Sequence, residues 1–297
     1  MRSCHLLLLF ALNFTLVTTL STAKAQNAPA QEWWFRSPTA RTKYYALKTD
    51  LPPNEAKELA RHMDATCEEY FATFAQLPVR LRRPAALSLF LFASEQDYQQ
   101  TLANRFQVDG TGSWGMCISR GKNIALVGFR GSKPIEEMKP LLQHEGFHQF
   151  ARHLFPDIPR WADEGLAEVF ERGVVVGDRL ALGEKSHHDK QQLVQAIEFK
   201  KHIPLGQLMI LDGNQWLEQV HAGDANMQYL QAWSLVHFFL FADNGKYQKN
   251  FLAFLVQLNA NTDWEKAFVA AFGWPNTNAM EQRWTEYVRE MPTTDLR

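Results

Sequence analysis

The chain has 297 residues, and its 31 Lys and Arg nearly balance its 32 Asp and Glu, giving a formal net charge of −1. No basic stripe is present, which argues against nucleic acid as a partner. The length fits one catalytic unit with an added helical half.

The N-terminus has the features of a secretory signal peptide. An apolar stretch at residues 6–20 follows Arg2 and ends shortly before the small residues Ala23 and Ala25. We therefore expect residues 1–25 to be a signal peptide that is cleaved on export, leaving a periplasmic or secreted protein with no stable membrane anchor. The alternative is that the apolar stretch stays as an uncleaved anchor helix.

Hydrophobic periodicity and turn residues predict the elements that follow. In chain order they are an N-terminal arm at 26–53, an amphipathic helix at 54–76, a strand at 86–92, a helix to about 106, and two strands at 115–118 and 123–129.

The cysteines left after export are Cys67 and Cys117. Export permits a disulfide between them. However, Cys67 falls on the apolar stripe of the 54–76 helix, where a buried free thiol explains it equally well. The spacing leaves both possibilities open.

The sequence His144-Glu145-Gly146-Phe147-His148 lies in a segment, 140–154, with helical apolar spacing. Residues four apart share one helix face, so His144 and His148 can bind one metal ion. Glu145 lies beside them and is placed to act on a water bound to that ion. This is the helix-borne zinc motif in which the Glu serves as general base.

A second helix is expected at 160–172, after Pro156 and Pro159 break the first. It carries Glu164 and Glu168 on one face. The rest of the chain is expected as a β-hairpin at 174–182 and then helices at 189–200, 225–242, 246–258, 263–272 and 277–290. We divide the chain into an α+β zinc-binding catalytic part at 54–185 and a helical C-terminal part at 186–297.

The two motifs together resemble the gluzincins, the peptidase-MA-like zinc metallopeptidases that include thermolysin and the aminopeptidase N family. Trp161-Ala162-Asp163-Glu164-Gly165-Leu166-Ala167-Glu168 is similar to the aminopeptidase phrase Trp-Leu-Asn-Glu-Gly-Phe-Ala. It is more similar to bacterial peptidase-MA-like proteins of uncharacterised function, which carry Trp-x-x-Glu-Gly-Leu-Ala-Glu-Tyr-Phe-Glu. The gap from His148 to Glu164 is shorter than in aminopeptidases, and Val169 stands where that pattern has Tyr.

This resemblance implies one Zn²⁺ per chain, with Glu164 as the third ligand after the two histidines. It also implies that Glu168 accepts the remaining N–H of a ligand imidazole, which we assign to His144. Glu171 lies near the same face, and we expect it to be solvated.

A weaker similarity places a catalytic tyrosine downstream. The segment that contains Tyr229 is similar to the aminopeptidase segment Tyr-x-Lys-Gly-Ala-x-x-Leu, although the Lys-Gly pair is absent. By this resemblance, the Tyr229 hydroxyl stabilises the oxyanion of the tetrahedral intermediate. A core tyrosine on an apolar helix explains the segment equally well.

The order of elements suits a thermolysin-like α+β fold, with a small mixed sheet packed on the zinc-motif helix and a mostly helical C-terminal half. In such folds an edge strand above the metal pairs with extended substrate. We expect that strand to be 123–129, with Asn123, Ala125 and Val127 facing the substrate. The alternative is an ordinary core strand.

The function expected is that of an exported zinc metallopeptidase acting on a peptide or protein substrate, with endopeptidase activity slightly preferred. The alternative is a non-catalytic periplasmic binding or scaffold protein on the same fold. Glu145 favours the enzyme, because a purely structural zinc site has no use for that carboxylate. A zinc hydrolase of non-peptide amides is a third possibility.

Overall fold

The computed structural model describes residues 40–77, 86–120, 123–155, 157–183, 186–220, 222, 225–260 and 263–293. The expected signal peptide and most of the N-terminal arm lie outside these residues. Within the described part of the chain, no helix combines the length and the apolar character needed to cross a bilayer.

The described residues form an α+β structure. The strands are β1 Ala40–Arg41, β2 Tyr45–Thr49, β3 Leu87–Phe92, β4 Gly115–Arg120, β5 Asn123–Phe129, β6 Val174–Val176 and β7 Arg179–Ala181. The helices are α1 Pro53–Thr73, α2 Glu95–Thr101, α3 Met138–Leu154, α4 Arg160–Glu171, α5 His187–Glu198, α6 Leu205–Leu208, α7 Gly213–Gln219, α8 Ala225–Phe241, α9 Gln248–Asn259, α10 Trp264–Phe272 and α11 Thr277–Glu290. The mixed α+β class and the helical C-terminal half are thus confirmed.

Five strands form a mixed sheet in the order β1-β2-β3-β5-β4. Strands β2, β3 and β5 are parallel, while β1 and β4 are antiparallel to their neighbours. Strands β6 and β7 form a separate hairpin, with Gly177 supplying the positive φ of its turn. The hairpin agrees with the sequence-based expectation.

The edge strand was wrongly assigned from the sequence. Strand β5 lies between β3 and β4, so its Asn123, Ala125 and Val127 already have strand partners. Ala125 and Val127 are also buried. The last strand on this side of the sheet is β4.

The N-terminal arm is also shorter than the sequence predicts. Its last residues form β1 and β2, and β2 pairs with β3 along its whole length. Tyr45 and Leu47 of β2 are almost fully buried. Residues 40–49 therefore belong to the sheet.

Helix α3, which carries the His144-Glu145-Gly146-Phe147-His148 motif, packs against α1, α4, β4 and β5. At its centre the buried Gln143 amide donates to the carbonyls of Phe170 and Gly173 and accepts a hydrogen bond from His62 Nε2. Helices α1 and α3 approach closely at Gly146, since a Cβ there would lie 2.7 Å from Met63 Cε and the Met63 side chain would have to shift. These contacts fix α3 against α1 and the end of α4.

Cys67 on α1 and Cys117 on β4 are both buried and are not joined in a disulfide. Of the two possibilities left open by the sequence, the structure shows buried thiols.

Helix α4 lies unusually close to α8. A Cβ added at Gly165 would lie 2.6 Å from Val236 Cγ2 and closer still to the carbonyl oxygen of Ala232. Only glycine fits at this crossing, which joins the helical C-terminal half to the motif helices.

We expect Gly165→Ala to lower the free energy of unfolding by about 2 kcal/mol, because a methyl group forced against backbone overpacks the crossing. Urea unfolding measures this effect. Gly213→Ala is the control, since its Cβ would meet nothing closer than Arg160 Nη2 at 3.5 Å. Equal effects of the two substitutions would contradict the close approach of α4 and α8.

Candidate metal centre

Helices α3 and α4 bring His144, His148 and Glu164 together. Glu164 Oε2 lies 3.4 Å from Nε2 of His144 and 3.6 Å from Nε2 of His148. A ligand atom of each side chain lies within 4.8 Å of those of the other two. All three residues are buried, with exposed fractions of 0%, 5% and 3%.

The spacing of these atoms fits a tetrahedral metal site. Donors bound to zinc at ~2.0–2.1 Å lie ~3.3–3.5 Å apart when arranged tetrahedrally. Both distances from Glu164 Oε2 are close to that range, and both exceed a normal hydrogen bond. Two imidazole nitrogens and one carboxylate oxygen are also a donor set that zinc prefers.

Each of the two imidazoles has a carboxylate hydrogen-bonded to its Nδ1 atom. His144 Nδ1 is 2.8 Å from Glu171 Oε2, and His148 Nδ1 is 2.9 Å from Asp163 Oδ1. These bonds orient the rings so that the Nε2 atoms face Glu164. Sequence reasoning missed Asp163, although an acid directly before the expected ligand Glu164 was a visible signal.

Glu168 does not have the contact expected from the resemblance. It forms an ion pair with Arg172, four residues later on α4, although its carboxylate lies within 4.8 Å of His144 and Glu171 ligand atoms. Burial raises the pKa of Glu168 despite the Arg172 charge. Glu171, expected to be solvated, is the residue bonded to His144.

Arg160 fixes the orientation of Glu164. Its Nη1 donates to Glu164 Oε1 at 3.2 Å and lies 3.7 Å from Asp163 Oδ2. Glu164 therefore presents one oxygen to Arg160 and the other to the imidazoles. This arrangement favours a single oxygen as the metal donor.

A metal ion bound at this site would have to compete with a proton for His148. Burial lowers the pKa of this imidazole, but the charges of Asp163 and Glu164 outweigh burial and raise the pKa to about 9. Binding of a metal ion would therefore displace a proton, and the affinity for that ion should decrease as the pH falls below that value.

Glu145 is held beside the cluster by the edge strand. The backbone N–H of Cys117 on β4 donates to Glu145 Oε2 at 2.8 Å. The other oxygen, Oε1, is buried and accepts no hydrogen bond from the described residues. Burial raises the pKa of Glu145, although both imidazoles oppose this. A fixed carboxylate with one unoccupied oxygen and a raised pKa is suited to proton transfer.

Tyr229 lies on α8 with its ring edge-on to Trp216, at a centroid distance of 5.4 Å. Burial and the nearby charge of Glu164 raise its pKa well above the usual range. Its hydroxyl therefore stays protonated at neutral pH and remains a hydrogen-bond donor near the Glu164 carboxylate.

Residues 140–262 match a family described as "Protein of unknown function (DUF1570)". No curated protein matches the chain. The matched region begins within α3 and includes the rest of that helix, all of α4 and Tyr229.

Proposed function

We propose that the protein is an exported zinc metallopeptidase that hydrolyses peptide bonds. The observation that supports this most is the position of Glu164 Oε2, 3.4 and 3.6 Å from the two imidazole nitrogens. Glu145 stands next to this cluster with one oxygen unoccupied by the described residues. Together these residues supply three ligands and a base.

Each of the site residues has its own role in the proposed hydrolysis. His144, His148 and Glu164 would hold the zinc ion, which when bound would supply Lewis acidity. Glu145 Oε1 takes the proton of the attacking water while Cys117 N–H holds Oε2. Glu145 then returns that proton to the leaving amine. Tyr229 donates a hydrogen bond to the developing oxyanion.

We assign to β4 the thermolysin-like role of the edge strand that pairs with extended substrate. Trp114 O accepts a hydrogen bond from Phe129 N, so the even-numbered residues of β4 bond to β5. The backbone groups of Gly115, Cys117 and Ser119 then point away from the sheet. Because Cys117 N–H already holds Glu145, an extended substrate paired along β4 lies next to the general base.

Asp163 and Glu171, the carboxylates bonded to the imidazole Nδ1 atoms, provide a test of the zinc site. Asp163→Asn and Glu171→Gln should each lower zinc affinity by about 10–100-fold, since each removes the acceptor that orients one ligand ring. Competition with a fluorescent zinc chelator measures the dissociation constant. Glu168→Gln is the comparison and should have the smaller effect. An effect of Glu168→Gln equal to that of Glu171→Gln would restore the assignment made from the resemblance.

Tyr229→Phe tests the oxyanion donor. We expect kcat to fall by about 10-fold while KM changes little, because the lost hydrogen bond strengthens only in the transition state and the Lewis acidity that a bound zinc would supply is unaffected. Steady-state kinetics on one cleaved peptide separate the two constants. An unchanged kcat would mean that Tyr229 is a core tyrosine packed on Trp216.

Cleavage profiling tests the proposed class of enzyme. The protein, beginning at Gln26, is incubated with a diverse peptide library as purified, after chelation, and after zinc is restored. The proposal expects cleavage that chelation abolishes and zinc restores. Zinc-loaded protein that cleaves no peptide would favour the non-catalytic binding or scaffold protein.

A further inference from the structure

Among the described residues, three arginines lie close to the candidate centre, and two of them have carboxylate partners. Arg160 pairs with Glu164, and Arg172 pairs with Glu168. Arg152 differs from both, because no carboxylate of the described residues lies within ion-pair distance of its guanidinium. A partly buried cation without a direct counter-charge is uncommon, since buried charges are normally paired.

Arg152 lies on the site face of α3. It follows His148 by four residues, as His148 follows His144, so the three side chains share one face. Its Nη1 lies 2.8 Å from Cys117 Sγ on β4. The backbone N–H of the same Cys117 holds Glu145. Arg152 is therefore joined through one residue of the edge strand to the proposed general base.

The groups around Arg152 do not satisfy its charge. Burial raises the pKa of the Cys117 thiol to about 12, so this sulfur is neutral at physiological pH. Asp163 and Glu145 contribute attraction at longer range. Each of these carboxylates is already bonded elsewhere, Asp163 to His148 and Glu145 to Cys117.

We propose that Arg152 binds a carboxylate of the substrate and so selects anionic peptides for hydrolysis. This rests on the proposed function and names the substrate class of that same site. A guanidinium offers a planar pair of N–H donors that matches a carboxylate, and such charge-assisted bonds are about twice as strong as neutral ones. The carboxylate belongs either to the C-terminus of the peptide or to an Asp or Glu side chain.

Pools of randomised hexapeptides distinguish these two sources. The pools combine a free or an amidated C-terminus with the presence or the absence of Asp and Glu. The zinc-loaded wild type should cleave one class of anionic peptide at least ~10-fold faster than its neutral counterpart, the scale of a hydrogen bond to a charged group. Arg152→Gln should remove this preference while cleavage of neutral peptides persists. The control is Arg283→Gln, which removes one exposed charge from α11 and should keep the preference.

A binding measurement keeps this inference separate from the proposed function. Zinc-loaded Glu145→Gln, with and without Arg152→Gln, is immobilised, and the retained peptides are identified by mass spectrometry. If the wild type cleaves nothing, the proposed function fails, while selective retention of anionic peptides that depends on Arg152 still supports the inference.

The inference is overturned if the wild type cleaves anionic and neutral peptides equally well, or if it cleaves nothing and zinc-loaded Glu145→Gln retains both kinds of peptide equally. Arg152→Gln that keeps the full preference also overturns it. Arg152→Lys, which keeps the charge without the planar fork, should retain only part of the preference. If Arg152→Gln does not fold, complete retention of the preference by Arg152→Lys would contradict recognition by the guanidinium.

Discussion

Replacing Glu145 with Gln should lower kcat by at least ~10²-fold and leave zinc content and folding nearly unchanged. The amide oxygen of the new side chain can still accept the Cys117 N–H that now bonds Glu145 Oε2. Its NH₂ group then stands where the buried Oε1 would accept a proton. The substitution therefore removes the base and preserves the shape of the site.

This prediction is checked by steady-state kinetics together with zinc analysis of the same preparation. Glu198→Gln is the matched control, since it makes the same chemical change at an exposed position on α5 and should keep wild-type turnover. Wild-type kcat in Glu145→Gln would show that another group takes the proton.

Removing a metal ligand should lower activity as strongly as removing the base, because the zinc is lost. His144→Ala, His148→Ala and Glu164→Ala should each lower zinc affinity by more than ~100-fold, beyond the range for the carboxylates that only orient the ligands. Cleavage should be lost in proportion to the zinc. Each variant removes one of the three atoms that converge within 4.8 Å.

The matched control for the ligand series is His153→Ala. His153 lies on the same helix but is exposed, five residues after His148 and off the metal face. Metal analysis after dialysis should find one zinc in the control and wild type and none in the ligand variants. A ligand variant that holds zinc as tightly as the control would show that the assignment of that ligand is wrong.

Local patterns in the sequence were sufficient to predict the motif helices. The four-residue spacing of His144 and His148 and the apolar stripe around them mark α3, and Pro159 marks the start of α4. The long helices of the C-terminal half also follow from periodicity. The short helices α6 and α7 were not predicted, because a helix of so few residues shows no clear hydrophobic periodicity.

The position of the edge strand could not be read from the sequence. Strands β4 and β5 are neighbours in the chain, and both are apolar. Their places in the sheet depend on the parallel pairing of β3 with β5, in which Ser88 lies opposite Ala125 and Phe92 opposite Phe129. This contact joins segments far apart in the chain, and alternation within one strand does not reveal it.

The sequence also could not identify which acidic residues bond to the ligand imidazoles. Glu168 and Glu171 both lie on the Glu164 face of α4, at spacings of four and seven residues, so spacing alone could not choose between them. The structure chooses through Arg172, which pairs with Glu168 and leaves Glu171 to bond His144. Asp163 was missed because a residue next to a ligand points to a different side of the helix.

The central claim is that His144, His148 and Glu164 bind one zinc ion. A crystal structure with diffraction data collected on both sides of the zinc absorption edge tests this most directly. We expect one anomalous peak per chain, ~2.0–2.1 Å from both Nε2 atoms and from Glu164 Oε2, with Glu145 beside the metal but not bound to it. Zinc-grown crystals with no peak between these three side chains would contradict the account.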